Sequence, residues 1–132
     1  MPYTTGVMLD AMRLPMRREA PGTVRRRVRE TLLLHGVDPE VIGDAELLAT
    51  ELVTNAVLHA GSGEVEVFLI RDGASLFIEC RDPSPELPEG GAPGLVETSG
   101  RGLFLVAEMA ADHGVVVSGP GKSVWCELVA WP

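Results

Sequence analysis

The hydrophobic and polar positions in the N-terminal part of the chain predict a strand followed by a helix. Residues Val7 to Leu14 are predicted to form a first strand. From Pro21 onward, apolar positions recur at intervals of three and four residues, which is the spacing of one helix face. Gly36 provides a stop for that helix. The residues predicted to share its inner face are Val24, Val28, Thr31, Leu32 and His35.

A second helix is predicted from Asp38 to about Ala60. Pro39 suits the first turn of a helix, and Asp38 before it can cap the free N–H groups. Asp44 after Gly43 repeats a start signal, so a break or short turn is predicted there. With about 100° per residue, one face of this helix is apolar and is expected to meet the core. Its members are Ala45, Leu48, Ala49, Leu52 and Ala56.

The remainder of the chain predicts two hairpins with a loop and a helix between them. The segment EVEVFLIRDGASLFIECRD has two strand-like runs around an Asp-Gly pair, which marks a hairpin turn. The stretch from Asp82 to Gly100 is too rich in Pro and Gly for a regular element. The segment GRGLFLVAEMAADHG returns to helical spacing, and GVVVS and KSVWCELVA predict two last strands joined by a GPG turn. The inner face of that third helix is predicted to comprise Leu103, Val106, Ala107 and Ala110.

Composition and charge limit the function classes. The chain has 132 residues, enough for one domain, and its 45% apolar content is ordinary for a soluble globular protein. The net charge of −8 argues against general nucleic-acid binding, which needs a basic surface. No apolar run is long enough to span a membrane and the N-terminus has no signal-peptide pattern, so we expect a cytoplasmic protein. Cys80 and Cys126 are expected to be core residues rather than disulfide partners or metal ligands.

Arginines are concentrated at the start of the chain, in the run RRRVRE from Arg25 to Glu30. This run is either the solvated face of an amphipathic helix or a local docking surface.

Two polar residues interrupt the apolar pattern of the second helix. Glu51 and Asn55 are four residues apart and share an edge stripe beside the core face. A charged group that is half withdrawn from water needs a partner. From this helix alone, a solvated edge and a functional stripe are equally compatible with the pattern.

Two further segments carry chemistry that such a stripe could use. Asp82 ends a strand and is followed by PSP, which prevents the sheet from continuing, and binding carboxylates often lie in such loops. A carboxylate there can accept a hydrogen bond from an amine such as that of adenine, although an ordinary turn residue explains it as well. In SGRGL, from Ser99 to Leu103, glycines precede a helix start that favours an anion, and Arg101 adds a fork suited to phosphate. A plain helix start explains these glycines equally well.

Taken in order, ELLATELVTNAVLHA, RDPSPELP, SGRGL and GKSVWCEL resemble the GHKL superfamily of ATP-binding domains. The nearest resemblance is to its single-domain branch, the anti-sigma factor serine/threonine kinases of actinomycetes, and it extends from about Leu14 to Leu128. It implies a single domain over residues 1–132, and both the order of the predicted elements and the resemblance indicate an α+β fold. That fold is a two-layer α/β sandwich whose mixed, mostly antiparallel sheet is covered on one face by helices.

The resemblance also implies roles for individual residues. Glu51 would be the general base, and Asn55 would ligate Mg²⁺ at the ATP phosphates. Asp82 would bind the adenine amine with the assistance of Ser123, which stands where the family usually has Thr. Ser84 falls in the nucleotide-binding box, where the wider superfamily has glycine.

The phosphate end of the implied site lies in the loop and the helix start that follow. Residues 86–99 would form the ATP lid. The residues implied at the phosphates are Gly100, Arg101, Gly102 and Leu103. His59 is at the end of its helix and is expected to have a packing role or to contact the lid.

The function implied is phosphorylation of a Ser or Thr on an anti-anti-sigma factor, with ATP and Mg²⁺, together with binding of a sigma factor. The implied partners exclude nucleic acid and membrane and include a second copy of the chain, since relatives often form dimers. The alternative is a nucleotide-binding regulatory module that acts by docking a partner without turnover. The DPSP form of the nucleotide-binding box motivates that alternative, because Ser84 and Pro85 replace glycines there.

Overall fold

Two layers, an antiparallel sheet and the helices that cover it, make up the described part of the protein. A computed structural model describes residues 5–60, 63–82, 106, 108–118 and 121–132. The strands are β1 (Val7–Pro15), β2 (Glu64–Asp72), β3 (Ser75–Asp82), β4 (Asp112–Ser118) and β5 (Gly121–Val129), and the helices are α1 (Ala20–Leu34) and α2 (Pro39–Ala60). In the described part of the chain the strand order is β1-β2-β3-β5-β4, and each of the four pairings is antiparallel. The predicted α+β sandwich is therefore confirmed.

Helix α1 has the predicted inner face, with one exception. Val24, Val28 and Leu32 are buried and Thr31 is half-buried, whereas His35 is exposed. His35 lies just beyond the last helical residue, so the helical spacing no longer sets its direction. Its carbonyl oxygen accepts a hydrogen bond from the Trp131 indole at 3.0 Å.

Helix α2 is continuous from Pro39 to Ala60, so the predicted break at Gly43 and Asp44 is wrong. A glycine inside a helix costs about 1 kcal/mol relative to alanine. The apolar stripe that follows is buried as predicted, and this packing outweighs the local cost. The buried members of the stripe are Ala45, Leu48, Ala49, Leu52 and Ala56.

The β2–β3 hairpin turns at Gly73 and Ala74, as the Asp-Gly signal predicts. Asp72 pairs with Ser75, which leaves a two-residue loop. Gly73 has a φ of 61°. A type II′ turn requires a positive φ at its first loop position, and glycine adopts that conformation readily.

The core lies between the helices and one face of the sheet. Alternate residues of β3 (Leu76, Ile78, Cys80) and of β5 (Val124, Cys126) join the helix residues in one buried cluster. Cys80 and Cys126 are both free and buried, as expected for core residues. Their neighbours Ile70, Phe77 and Trp125 point to the other face of the sheet, where they form a second, smaller cluster.

Part of the predicted third helix lies within the described residues. Val106, Glu108 and Met109 are helical, and the Ala110 amide donates to the Val106 carbonyl at 3.0 Å. Val106 is buried and Ala110 packs against the core, whereas Leu103 and Ala107 lie outside the described residues. No helix among the described residues is long and apolar enough to cross a membrane.

Candidate functional site

Asn55 is a polar side chain in the buried part of α2. It is 3% exposed and lies among Leu52, Val53 and Ala56, which are all buried. Its carbonyl oxygen Oδ1 has no hydrogen-bond partner among the described residues. Leaving a buried acceptor unsatisfied costs about 1–3 kcal/mol, so folded proteins rarely retain one without a use. This orphaned oxygen is the first sign of a ligand site.

Glu51 precedes Asn55 by one helical turn and is half-buried. Residues four apart on a helix lie on neighbouring parts of its surface. The predicted edge stripe therefore exists, and it places a carboxylate next to the buried amide.

Asp82 is the last residue of β3 and continues its helix-facing side beyond Ile78 and Cys80. Lys122 is its direct partner on β5, and directly paired residues point to the same face of a sheet. The Lys122 Nζ atom is 3.7 Å from Asp82 Oδ2, and the two side chains are 4% and 3% exposed. A buried ion pair costs desolvation energy that its mutual attraction only partly returns. The apolar face of the sheet therefore ends in two opposite charges.

The polar residues of α2 and of the strands face the same layer of the protein. Helix α2 packs on β2, β3 and β5, and Asn55 lies on its buried side. Asp82 and Lys122 lie on the side of β3 and β5 that meets the helices. An amide oxygen and a carboxylate–ammonium pair thus border the interlayer region.

Ser123 is not brought together with Asp82. The register pairs Ser123 with Arg81, so it points to the opposite face of the sheet, with Trp125. Ser123 is buried there, and its hydroxyl oxygen has no hydrogen-bond partner among the described residues. Lys122 occupies the place beside Asp82 that was expected of Ser123. The sequence marks Lys122 as the only lysine in the chain, but it does not show which face of β5 this side chain lies on.

The remaining predicted site residues lie outside the described part of the chain. They are Ser84, Gly100, Arg101, Gly102 and Leu103, together with the predicted lid at residues 86–99. The side chain of His59 is also outside it.

The chain is similar to a known protein family. A family model described as a histidine kinase-like ATPase domain matches residues 14–127. No curated protein matches the chain.

Two solved structures share the fold at low sequence identity. The RsbU and RsbW domains of Rv1364c from Mycobacterium tuberculosis align with a TM-score of 0.65 and 20% identity, over 92% of this chain and 32% of that chain. This chain thus spans about a third of that one. A chain of the SiaB–SiaC complex from Pseudomonas aeruginosa aligns with a TM-score of 0.70 and 15% identity, over 96% of this chain and 93% of that chain.

The two structural likenesses support the architecture, and the family model supports the family, because it covers most of the sequence. An ATPase domain implies ATP binding, which is consistent with the polar residues between α2 and the sheet. The chain belongs to the histidine kinase-like ATPase domain family.

Proposed function

We propose that this protein binds ATP with Mg²⁺ between α2 and the sheet and transfers the γ-phosphoryl group to a serine or threonine of an anti-anti-sigma partner. The observation that carries the proposal is the buried Asn55 oxygen, which has no hydrogen-bond partner among the described residues. Glu51, one helical turn away, adds a half-buried carboxylate at the same edge. A helix that served only for packing would gain stability from apolar residues at both positions.

The donor set suits a Mg²⁺ ion that is held mainly by phosphate. Mg²⁺ prefers oxygen ligands, keeps several waters, and commonly binds through one or two protein groups together with substrate phosphates. Asn55 offers one oxygen, and the described residues contain no group of three His, Cys, Asp or Glu that could hold a metal by itself. Asn55 would therefore hold the ion jointly with ATP. When bound, the ion would neutralise charge on the transferred phosphoryl group.

The residues of the chain divide the remaining tasks. Glu51 would accept the proton of the attacking hydroxyl as its oxygen bonds to phosphorus and ADP leaves, a role worth about 10²–10⁴ in rate. Asp82 would accept a hydrogen bond from the adenine amine. The groups proposed at the phosphates and the rest of the nucleotide are Ser84, Gly100, Arg101, Gly102 and Leu103.

The surface of α1 supports the partner half of the proposal. Arg25 and Arg26 are exposed, and Leu33 and Leu34 are exposed large apolar residues at the end of the same helix. A surface with both cations and apolar groups suits a protein partner with a complementary acidic rim. One compared structure includes an RsbW domain and the other is a complex of SiaB with SiaC. The same proposal includes three further points: the protein binds a sigma factor, it forms a homodimer, and it is located in the cytoplasm.

The test is phosphoryl transfer from radiolabelled ATP, in the presence of Mg²⁺, to a single-domain anti-anti-sigma protein from the same organism. Label is expected on a serine or threonine of the partner. Glu51→Gln should abolish transfer while ATP still binds, and Asn55→Ala should reduce both. Glu40→Gln is the matched control, because Glu40 is an exposed acid in the first turn of the same helix. ATP binding without any transfer by the unaltered protein would overturn the kinase assignment.

A second candidate is a regulatory module that binds nucleotide and docks a partner without turnover. The DPSP segment favours it, because Ser84 and Pro85 stand where glycines would let the backbone approach the nucleotide closely. Under this alternative, nucleotide-dependent partner binding would survive Glu51→Ala unchanged and no label would be transferred.

A further inference from the structure

Lys122 is a buried cation for which the proposed phosphoryl transfer has no task. Its side chain is 4% exposed and lies on the helix-facing side of the sheet, directly across from Asp82. Burying a long charged side chain is costly, and such residues are almost never fully buried unless they are paired. Two apolar residues in place of the whole Asp82–Lys122 pair would pack in the same layer at a lower cost. The ammonium therefore needs an explanation beyond packing.

The ion pair matches the hydrogen-bonding edge of one purine. Asp82 presents an acceptor and Lys122 presents a donor, and the two atoms are 3.7 Å apart. The exocyclic amine of adenine lies between two ring nitrogens, N1 on one side and N7 on the other. On either side, the N–H donor of the amine is next to a ring nitrogen that can accept a hydrogen bond. Groups spaced like this carboxylate and ammonium can contact such a neighbouring donor and acceptor together, at ordinary hydrogen-bond lengths of about 3 Å.

We infer that Lys122 is a base-specificity residue. Asp82 accepts a hydrogen bond from the adenine amine, and Lys122 donates one to the ring nitrogen beside that amine. This inference rests on the proposed nucleotide site and adds to it a residue that reads the base. Each charge would then contact both the other charge and the base. A base analogue that lacks this ring nitrogen would leave the buried ammonium without that acceptor. Binding sites discriminate strongly against ligands that fail to pair a buried polar group of the site.

The test is the affinity of the full chain for ATP, 1-deaza-ATP and 7-deaza-ATP, measured by calorimetry with Mg²⁺. The unaltered protein should bind one of the two analogues at least about 10-fold more weakly than ATP, since a hydrogen bond to a charged group is worth that much. Lys122→Met should bring the ratio between ATP and that analogue close to one. Because the ratio is taken within one variant, a general loss of stability does not affect it.

Ser123→Ala is the matched control, because Ser123 is the next residue and points to the opposite face of the sheet. It should retain the ratio of the unaltered protein. If Lys122→Met does not fold, the double variant Asp82→Asn with Lys122→Met removes both charges and should also lose the ratio. Lys122→Arg moves the donor and should reduce the ratio.

The outcomes separate the inference from the proposed site. Two outcomes would overturn the role of Lys122 without contradicting the nucleotide site. In the first, the protein binds ATP and both analogues equally well. In the second, Lys122→Met retains the preference for ATP over the analogue. No binding of ATP by the unaltered protein would overturn both.

Discussion

Replacing Asn55 with leucine should make the ligand-free protein more stable and at the same time remove its response to ATP. Asn55 is buried in an apolar stripe, and its Oδ1 has no hydrogen-bond partner among the described residues. Leucine has the same number and branching of heavy side-chain atoms, is somewhat larger, and carries no polar atom. If the amide is present to bind a ligand, its removal should weaken ATP binding and raise the free energy of unfolding of the ligand-free protein.

The gain in the free energy of unfolding follows from the burial of this side chain. Removing an unsatisfied buried acceptor returns about 1–3 kcal/mol. Leucine also forms helix more readily than asparagine, by a few tenths of a kcal/mol. The two methyl groups of leucine add volume to the site, which costs about 1 kcal/mol. The net expectation is a gain of about 1 kcal/mol, which corresponds to a rise in Tm of about 3 °C for a domain of this size.

The assay is thermal unfolding with and without ATP and Mg²⁺. At an ATP concentration 100 times the Kd, the unaltered protein should gain about 2.7 kcal/mol from binding. Asn55→Leu should begin at a higher Tm and gain little, so the order of the two proteins reverses when ATP is added. Leu58→Ala is the control, because Leu58 is exposed on the same helix and should leave both values nearly unchanged.

Two results would refute this reasoning. A ligand-free Asn55→Leu protein that is less stable than the original would mean that the amide serves the fold. A full ATP-induced shift in that variant would mean that Asn55 holds no part of the metal–nucleotide complex.

Three further predictions concern the fold. Gly43→Ala should raise the free energy of unfolding by about 0.5–1 kcal/mol in urea denaturation, because Gly43 is inside a helix and an added Cβ meets nothing within 4 Å. Gly114→Ala should lower it by about 1–3 kcal/mol and change the fluorescence of Trp125, whose Nε1 would be 2.9 Å from the new Cβ. Burial raises the pKa of Cys126 to about 12 and also raises the pKa of Cys80, so neither thiol should react with a disulfide reagent at pH 8 until the protein is unfolded. These neutral thiols stabilise the fold fully below the unfolded thiol pKa of about 8.5, and that contribution should decline as the pH rises towards 12.

The periodic parts of the fold could be predicted from the sequence because their patterns are local. The β2–β3 hairpin follows from two strand-like runs around one glycine, and the core face of α2 follows from its helical spacing. The errors occur where a local signal meets a tertiary effect. Gly43 signals a break, yet the packing of the following stripe keeps the helix intact. His35 continues the spacing of α1 by one position beyond the point where the helix ends.

The site could be predicted only as far as it depends on one element. The edge stripe of Glu51 and Asn55 is a property of a single helix, so the spacing was sufficient. Whether Ser123 or Lys122 faces Asp82 depends on the register between β3 and β5, which two separate segments of sequence do not reveal. A change of one residue in that register moves every side chain of the strand to the other face.

The position of Asp82 and Lys122 gives a reason for the proposed site to lie at the end of the core. Two-residue alternation makes β3 and β5 apolar on the helix-facing side through Cys80 and Val124, and the same alternation brings the next residues of that face, Asp82 and Lys122, to the same side. The chain thus needs no separate loop to place a carboxylate and an ammonium in a dry environment, where the proposed hydrogen bonds to a base would be stronger than in water. Asn55 follows the same logic on the helix layer, since it occupies a buried position of the apolar stripe. The stability lost at these three positions is local, and the apolar rows that lead to them supply the burial that offsets it.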